Sequence, residues 1–184
     1  MRWQALFDDL EAQLAAAEAA ELQAEVADRT RREAGLLRVV DRLAAATGQQ
    51  VAVALGAAGV VHGRVLDAGV DWLLVEEVGA REALVPLEAV LGVTGLLAQS
   101  GVPGAEGEVG RRLDLRWALR GLARSRAAVA LVLRDGSVVS GTLDRVGADH
   151  LDLAEHAPGE PRRAAAVRQV RLVPLAAVTL VRSG

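Results

Sequence analysis

The sequence of 184 residues contains no cysteine, lysine, isoleucine, asparagine or tyrosine, and only one methionine and one phenylalanine. Without cysteine there are no disulfides, no thiolate metal ligands and no cysteine nucleophile. The three histidines, His62, His150 and His156, are scattered without metal-ligand spacing, so neither a metal nor a cofactor is expected. The lack of tyrosine leaves almost no stacking platform for single-stranded nucleic acid. No apolar run approaches the roughly 20 residues that cross a bilayer. The N-terminus opens with Trp3, Asp8, Asp9 and Glu11 instead of a basic stretch before an apolar one, which reads as a cytoplasmic chain with no membrane segment. Lysine, isoleucine, asparagine and tyrosine have AT-rich codons, whereas Ala, Gly, Arg, Val and Leu dominate, so a GC-rich genome explains the bias before function does.

What is present is 52% hydrophobic and 24% charged, the balance of one or two small globular domains. A net charge of −3 hides an asymmetry. Residues 1–28 set seven acids against Arg2, a balance of −6; residues 29–110 carry ten acids and seven arginines, −3; residues 111–184 carry thirteen arginines and seven acids, +6. The chain has an acidic head and a basic tail.

No Gly or Pro interrupts positions 1–34, which are filled with Ala, Glu, Leu, Gln and Arg, and this predicts one long N-terminal helix. Trp3, Phe7, Leu10, Leu14 and Ala17 recur at coiled-coil spacing before the stripe turns polar at Glu21. A lone helix gains little in water without packing, so this face needs the chain's own domain, a twin helix of a second subunit or another protein as partner. Gly35 reads as a break, with a second, short helix over Leu36–Leu43 ending near Gly48.

Beyond Gly48 the period changes to two and an internal repeat emerges. Val51-Ala-Val-Ala-Leu55 matches Val129-Ala-Leu-Val-Leu133 at an offset of 78, which also places Gly63 on Gly141, Gly69 on Gly147, Asp71 on Asp149, Leu73 on Leu151 and Glu77 on Glu155. After a ten-residue insertion, Val85-Pro-Leu-Glu-Ala-Val90 matches Val173-Pro-Leu-Ala-Ala-Val178, and upstream Leu37-Arg38 and Arg42 fall on Leu115-Arg116 and Arg120. Each copy predicts a short helix and about five strands, which can close a core as a small barrel. Asp135-Gly136 is the clearest hairpin signal, with Gly56–Gly59 as its counterpart. The expected organisation is an acidic amphipathic helix over 1–34, a first barrel over 35–97, a Gly-rich linker over 98–110 and a second barrel over 111–184, an α+β chain of mainly antiparallel strands.

The run Val129 to Leu153, a variable loop, and Val173 to Val181 resemble the Sm-like fold, whose first motif carries Asp-Gly, a central Gly and a later Asp-x-apolar-Asn-apolar. SH3-like barrels and PRC-type barrels share parts of this pattern, and Val-Pro-Leu-x-x-Val is PRC-like. The whole arrangement, helix first, also resembles a family of high-GC bacteria. The Sm-like resemblance implies RNA binding through an Asn in the first motif and an Arg-Gly pair in the second. The Asn position falls on Asp152 and Leu74, and the Arg-Gly position near Pro174-Leu175 and Pro86-Leu87. Aspartate repels phosphate and leucine makes no hydrogen bond, so the base-reading pocket is absent from both copies.

The remaining nucleic-acid candidates are the arginines of the second copy: Arg112, Arg116, Arg120 and Arg124, spaced by four on its helix, and Arg162, Arg163, Arg168 and Arg171 near the insertion. Asp149-His150 and Glu155-His156 lack a nucleophile, a phosphate loop or a second carboxylate in a supporting pattern, so no enzyme is expected. The reading is an assembly or scaffold protein that self-associates as a homo-oligomer or docks a protein partner through its barrels and the Trp3, Phe7, Leu10, Leu14 face. The alternative is an RNA- or DNA-binding regulator using the second copy.

Overall fold

The computed structural model describes residues 2–97, 113–158 and 162–183. The expected linker over 98–110 therefore lies outside the described residues, as does Arg112. The chain divides into two units, residues 1–37 and residues 38–184. The first is helix α1 (Arg2–Leu36), which runs on through Gly35 instead of breaking there. At roughly 100° per residue, Trp3, Phe7, Leu10 and Leu14 share a narrow arc of α1, and all four are exposed.

The second unit begins with helix α2 (Val39–Ala44), followed by β1 (Gln50–Ala54), β2 (Val60–Ala68), β3 (Trp72–Glu77), β4 (Arg81–Pro86) and β5 (Gly92–Thr94). The same series returns as helix α3 (Leu115–Ser125), β6 (Ala128–Leu133), β7 (Val138–Val146), β8 (His150–Glu155), β9 (Gln169–Pro174) and β10 (Val178–Ser183). Register follows the sequence repeat. Val51 faces Gly63 across β1–β2 and Val129 faces Gly141 across β6–β7, and bulges interrupt both second ladders, between Val65 and Asp67 and between Leu143 and Arg145. Gly136, with φ of 82°, turns β6 into β7, the conformation that the Asp-Gly pair supplies cheaply. Gly63 and Gly141 are required for a different reason: a Cβ at either would sit 2.2 Å from the carbonyl oxygen of Glu76 or Ala154 on the neighbouring strand.

The helices depart from the expected alignment. Arg38 is the N-cap of α2 and Asp114 that of α3, while Leu43 and Leu119 are the fully buried leucines of the two helices. Both pairs lie 76 positions apart against 78 for the strands, so the stretch from the buried helix leucine to the first strand is two residues longer in the second copy.

The ten strands form one antiparallel sheet in the order β5-β1-β2-β3-β4-β10-β6-β7-β8-β9. The expected closure into two separate barrels is not seen in the ladders, because the sheet is open and ends on β5 and β9. β10 uses its second edge on β4 of the first copy instead of returning to its own copy. The packing follows the same exchange. Val132 and Leu180 of the second copy join the core around Leu43, Val53 and Leu73, and Trp72 and Leu84 of the first join the core around Leu119, Leu131 and Leu151. No helix among the described residues is long and apolar enough to cross a membrane.

Candidate assembly interface

The seam between β4 and β10 is where the two copies meet. Val181 pairs with Leu84, Arg182 with Ala83 and Ser183 with Glu82. In a strand covered on one face only, alternate residues are exposed. In β4, however, Ala83, Leu84, Val85 and Pro86 are all buried, and in β10 so are Val178, Thr179, Leu180 and Val181. Both strands are therefore covered on both faces, one by their own copy and one by the other. Thr179, at a register shift in β10, has a buried hydroxyl with no partner.

Polar groups fix the seam at two places. Arg182 donates to Glu77 at 2.7 and 3.0 Å, and that hydrogen bond, opposed by partial burial, holds the Glu77 carboxyl below its ordinary range. Behind the seam, the Trp72 indole N–H donates to the Leu113 carbonyl at 2.8 Å, and the Asp71 carboxylate accepts the Leu115 N–H at 2.7 Å. Burial pushes the Asp71 carboxyl up against the pull of that hydrogen bond. Asp114 caps α3 by accepting from the Trp117 N–H at 2.8 Å. Burial works to raise its carboxyl too, but the Trp117 N–H and Arg116 outweigh it and the net shift is downward. Trp72 thus belongs to the core, whereas Trp117 is exposed.

The repeat identifies the counterparts of these seam residues at the two ends of the sheet. β9 corresponds to β4, with Leu172 at the position of Leu84; Leu84 is 5% exposed and Leu172 is 61% exposed. Only Val173 is buried along β9. β5 corresponds to β10, with Leu91 at the position of Thr179 and Val93 at that of Val181; Leu91 is 75% exposed. Beside β5 lies an open groove of about 550 Å³, walled by Val39 and Leu43 of α2 and by Val90, Leu91 and Val93. The Asp71–Trp72 corner is repeated as Asp149–His150, where the imidazole Nδ1 and the Asp149 carboxylate lie 2.8 Å apart. The His150 side chain is 35% exposed.

Among the described residues, several of the second-copy arginines are paired with acids. Arg116 pairs with Asp114, Arg162 and Arg126 share Asp144, and Arg171 pairs with Glu155. These hydrogen bonds hold the Asp144 and Glu155 carboxyls below their ordinary range. Arg120 and Arg124 lie one turn apart on α3 beside Arg145, along a shallow cleft that also contains Asp144. Arg163 and Arg168 are exposed on the approach to β9. Of the second histidine pair, His156 is buried, with Nε2 2.8 Å from the Thr142 hydroxyl and Nδ1 3.0 Å from the Ala157 carbonyl, so both nitrogens serve structure. Among the described residues no group of three or more acids and histidines could hold a metal ion. The signal that the sequence reading missed was the contrast between Leu84 and Leu172, two equivalent leucines whose different burial only the strand order reveals. No family model matches the chain, and no curated protein matches it.

Proposed function

We propose that this chain is a non-enzymatic assembly protein that self-associates through the edges of its sheet, with each helix and its five strands acting as a small Sm-like barrel. One observation carries the reading: the two copies are already joined edge to edge through β4 and β10, and the equivalent strands, β9 and β5, stand at the two ends of the sheet. An exposed strand edge is a template for pairing with another chain. The amphipathic face of α1 is a separate docking element for a protein partner, since Trp3, Phe7, Leu10 and Leu14 are exposed along one arc.

Light scattering coupled to size exclusion tests the reading. Assemblies larger than one 19.2 kDa chain are expected at both low and high salt, because the edges are apolar. They should survive Phe7→Glu with Leu14→Glu, which removes the α1 face. A monomer under every condition overturns self-association.

A second reading, binding of RNA or DNA, is favoured by the grouping of Arg120, Arg124 and Arg145 on one cleft. It requires salt-dependent binding that is lost in Arg120→Glu/Arg124→Glu. Absence of binding to either nucleic acid at about 50 mM salt removes it.

A further inference from the structure

Where the seam reaches the end of β10, the two copies enclose an open cavity of about 230 Å³. It is lined by Ala130, Ser140, His156 and Arg182 of the second copy and by Arg81 of the first, and among the described residues no carboxylate lines it. We infer that this cavity binds a small oxyanion, a phosphate ion or the phosphate group of a small monoester, held between Arg81 of one copy and Arg182 of the other.

The repeat supplies the comparison. The first copy has the same depression, but there Glu76 and Glu77 line it and Arg64 is bound by Glu76 at 2.7 Å. At the 78-residue offset Gln50, His62, Arg64 and Glu76 become Ala128, Ser140, Thr142 and Ala154. The smaller side chains leave room, and the internal ion pair is replaced by the neutral contact of Thr142 with His156. The cations come from the seam itself. Arg182 of β10 stands beside Ala130 of β6 on one side and Ala83 of β4 on the other, and Arg81 is on the same face of β4 as Ala83. The pairing of β10 with β4 thus brings both arginines to one site.

The chemistry fits an oxyanion. Arg182 gives Nε and one terminal nitrogen to Glu77, which leaves the donors of its other terminal nitrogen. Glu77 offsets one of the two positive charges, and the exposed Arg81 supplies the other. Guanidinium forks match phosphate oxygens, and the Ser140 hydroxyl is a further donor. His156 is a wall and not a ligand, since both its nitrogens are engaged by Thr142 and the Ala157 carbonyl. The cavity is smaller than the roughly 300–1,000 Å³ of sites for drug-sized ligands, which selects a small anion.

The site lies within one chain, so its test is independent of self-association. Calorimetric titration of the full chain, in a buffer free of phosphate and sulfate, uses inorganic phosphate and methyl phosphate as probes. Wild type should bind one anion per chain. Arg81→Gln, at an exposed position, should weaken binding at least about tenfold, the loss of one charge-assisted hydrogen bond. Ser140→Leu, which fills the cavity and keeps both arginines, should abolish it. Arg64→Gln, at the first-copy counterpart, should leave the affinity unchanged, and circular dichroism confirms that each variant is folded. Binding of methyl phosphate assigns the site to a terminal phosphate group, and binding of phosphate alone to the free ion; both support it. Failure of both probes to bind at up to about 10 mM, or an affinity unchanged in either Arg81→Gln or Ser140→Leu, overturns the inference.

Discussion

Leu84 and Leu172 allow the same substitution to be made twice, once inside a seam and once at an open edge. Leu84 is 5% exposed, sits in β4 opposite Val181, and packs in the core of the second copy. Truncation to alanine removes about three carbons at about 0.8 kcal/mol each, roughly 2.4 kcal/mol of transfer free energy. A residual cavity brings the cost to about 3 kcal/mol, within the range found for buried leucines. Leu172, 61% exposed at the matching position, has little to lose, and Leu172→Ala should stay within about 0.5 kcal/mol of wild type. The assay is urea unfolding followed by far-ultraviolet dichroism, at a concentration below self-association. An unchanged slope with a shifted midpoint would report a true stability change. Because each core takes side chains from both copies, residues 38–184 should unfold in one transition. Costs equal to within about 1 kcal/mol, or two transitions of which only one responds to Leu84→Ala, would refute the shared-core account.

Gly141→Ala should cost several kcal/mol of the stability of residues 38–184 as a whole, since its Cβ would lie 2.2 Å from the Ala154 carbonyl oxygen; a thermal melt within a few degrees of wild type contradicts this. Asp114→Ala removes the α3 cap and should cost about 1 kcal/mol by urea unfolding, with Asp114→Asn restoring most of it. Arg182 holds the Glu77 carboxyl below its ordinary value of 4.5, so the pair contributes stability above the unfolded value and loses it as pH falls through the folded one. Glu77→Gln should therefore flatten the acid limb of stability against pH below about 4.5, and an unchanged limb would show that the bridge is idle. Asp71 acts in the opposite sense, because burial raises its pKa, so Asp71→Asn should steepen that limb.

Much of the strand layout was legible because period-two runs and a 78-residue repeat are local signals, and the ladders reproduce them down to the paired bulges. The ends of α1 and α2 were less legible. Gly35 was expected to break the helix, yet α1 continues through it to Leu36, since a single glycine near a helix end costs only about 1 kcal/mol. Barrel closure could not be read at all. Whether β10 returns to its own copy or pairs with β4 is a choice between edges of similar composition, settled by which pairing buries Leu84, Trp72 and Leu180. The arginine ridge was legible as a spacing but not as a surface. Asp114 beside Arg116, Asp144 beside Arg126 and Arg162, and Glu155 beside Arg171 are brought there by the fold.

In the proposed assembly the edges β5 and β9, and not the α1 face or the arginine cleft, join one chain to the next. Hydrogen–deuterium exchange of the wild-type chain across a range of protein concentrations tests it most directly. Amides of residues 92–94 and 169–173 are expected to gain protection together as concentration rises, while those of β2 and β7 stay unchanged. Protection that appears only along α1 or at Arg120 and Arg124, or that never changes with concentration, would contradict it.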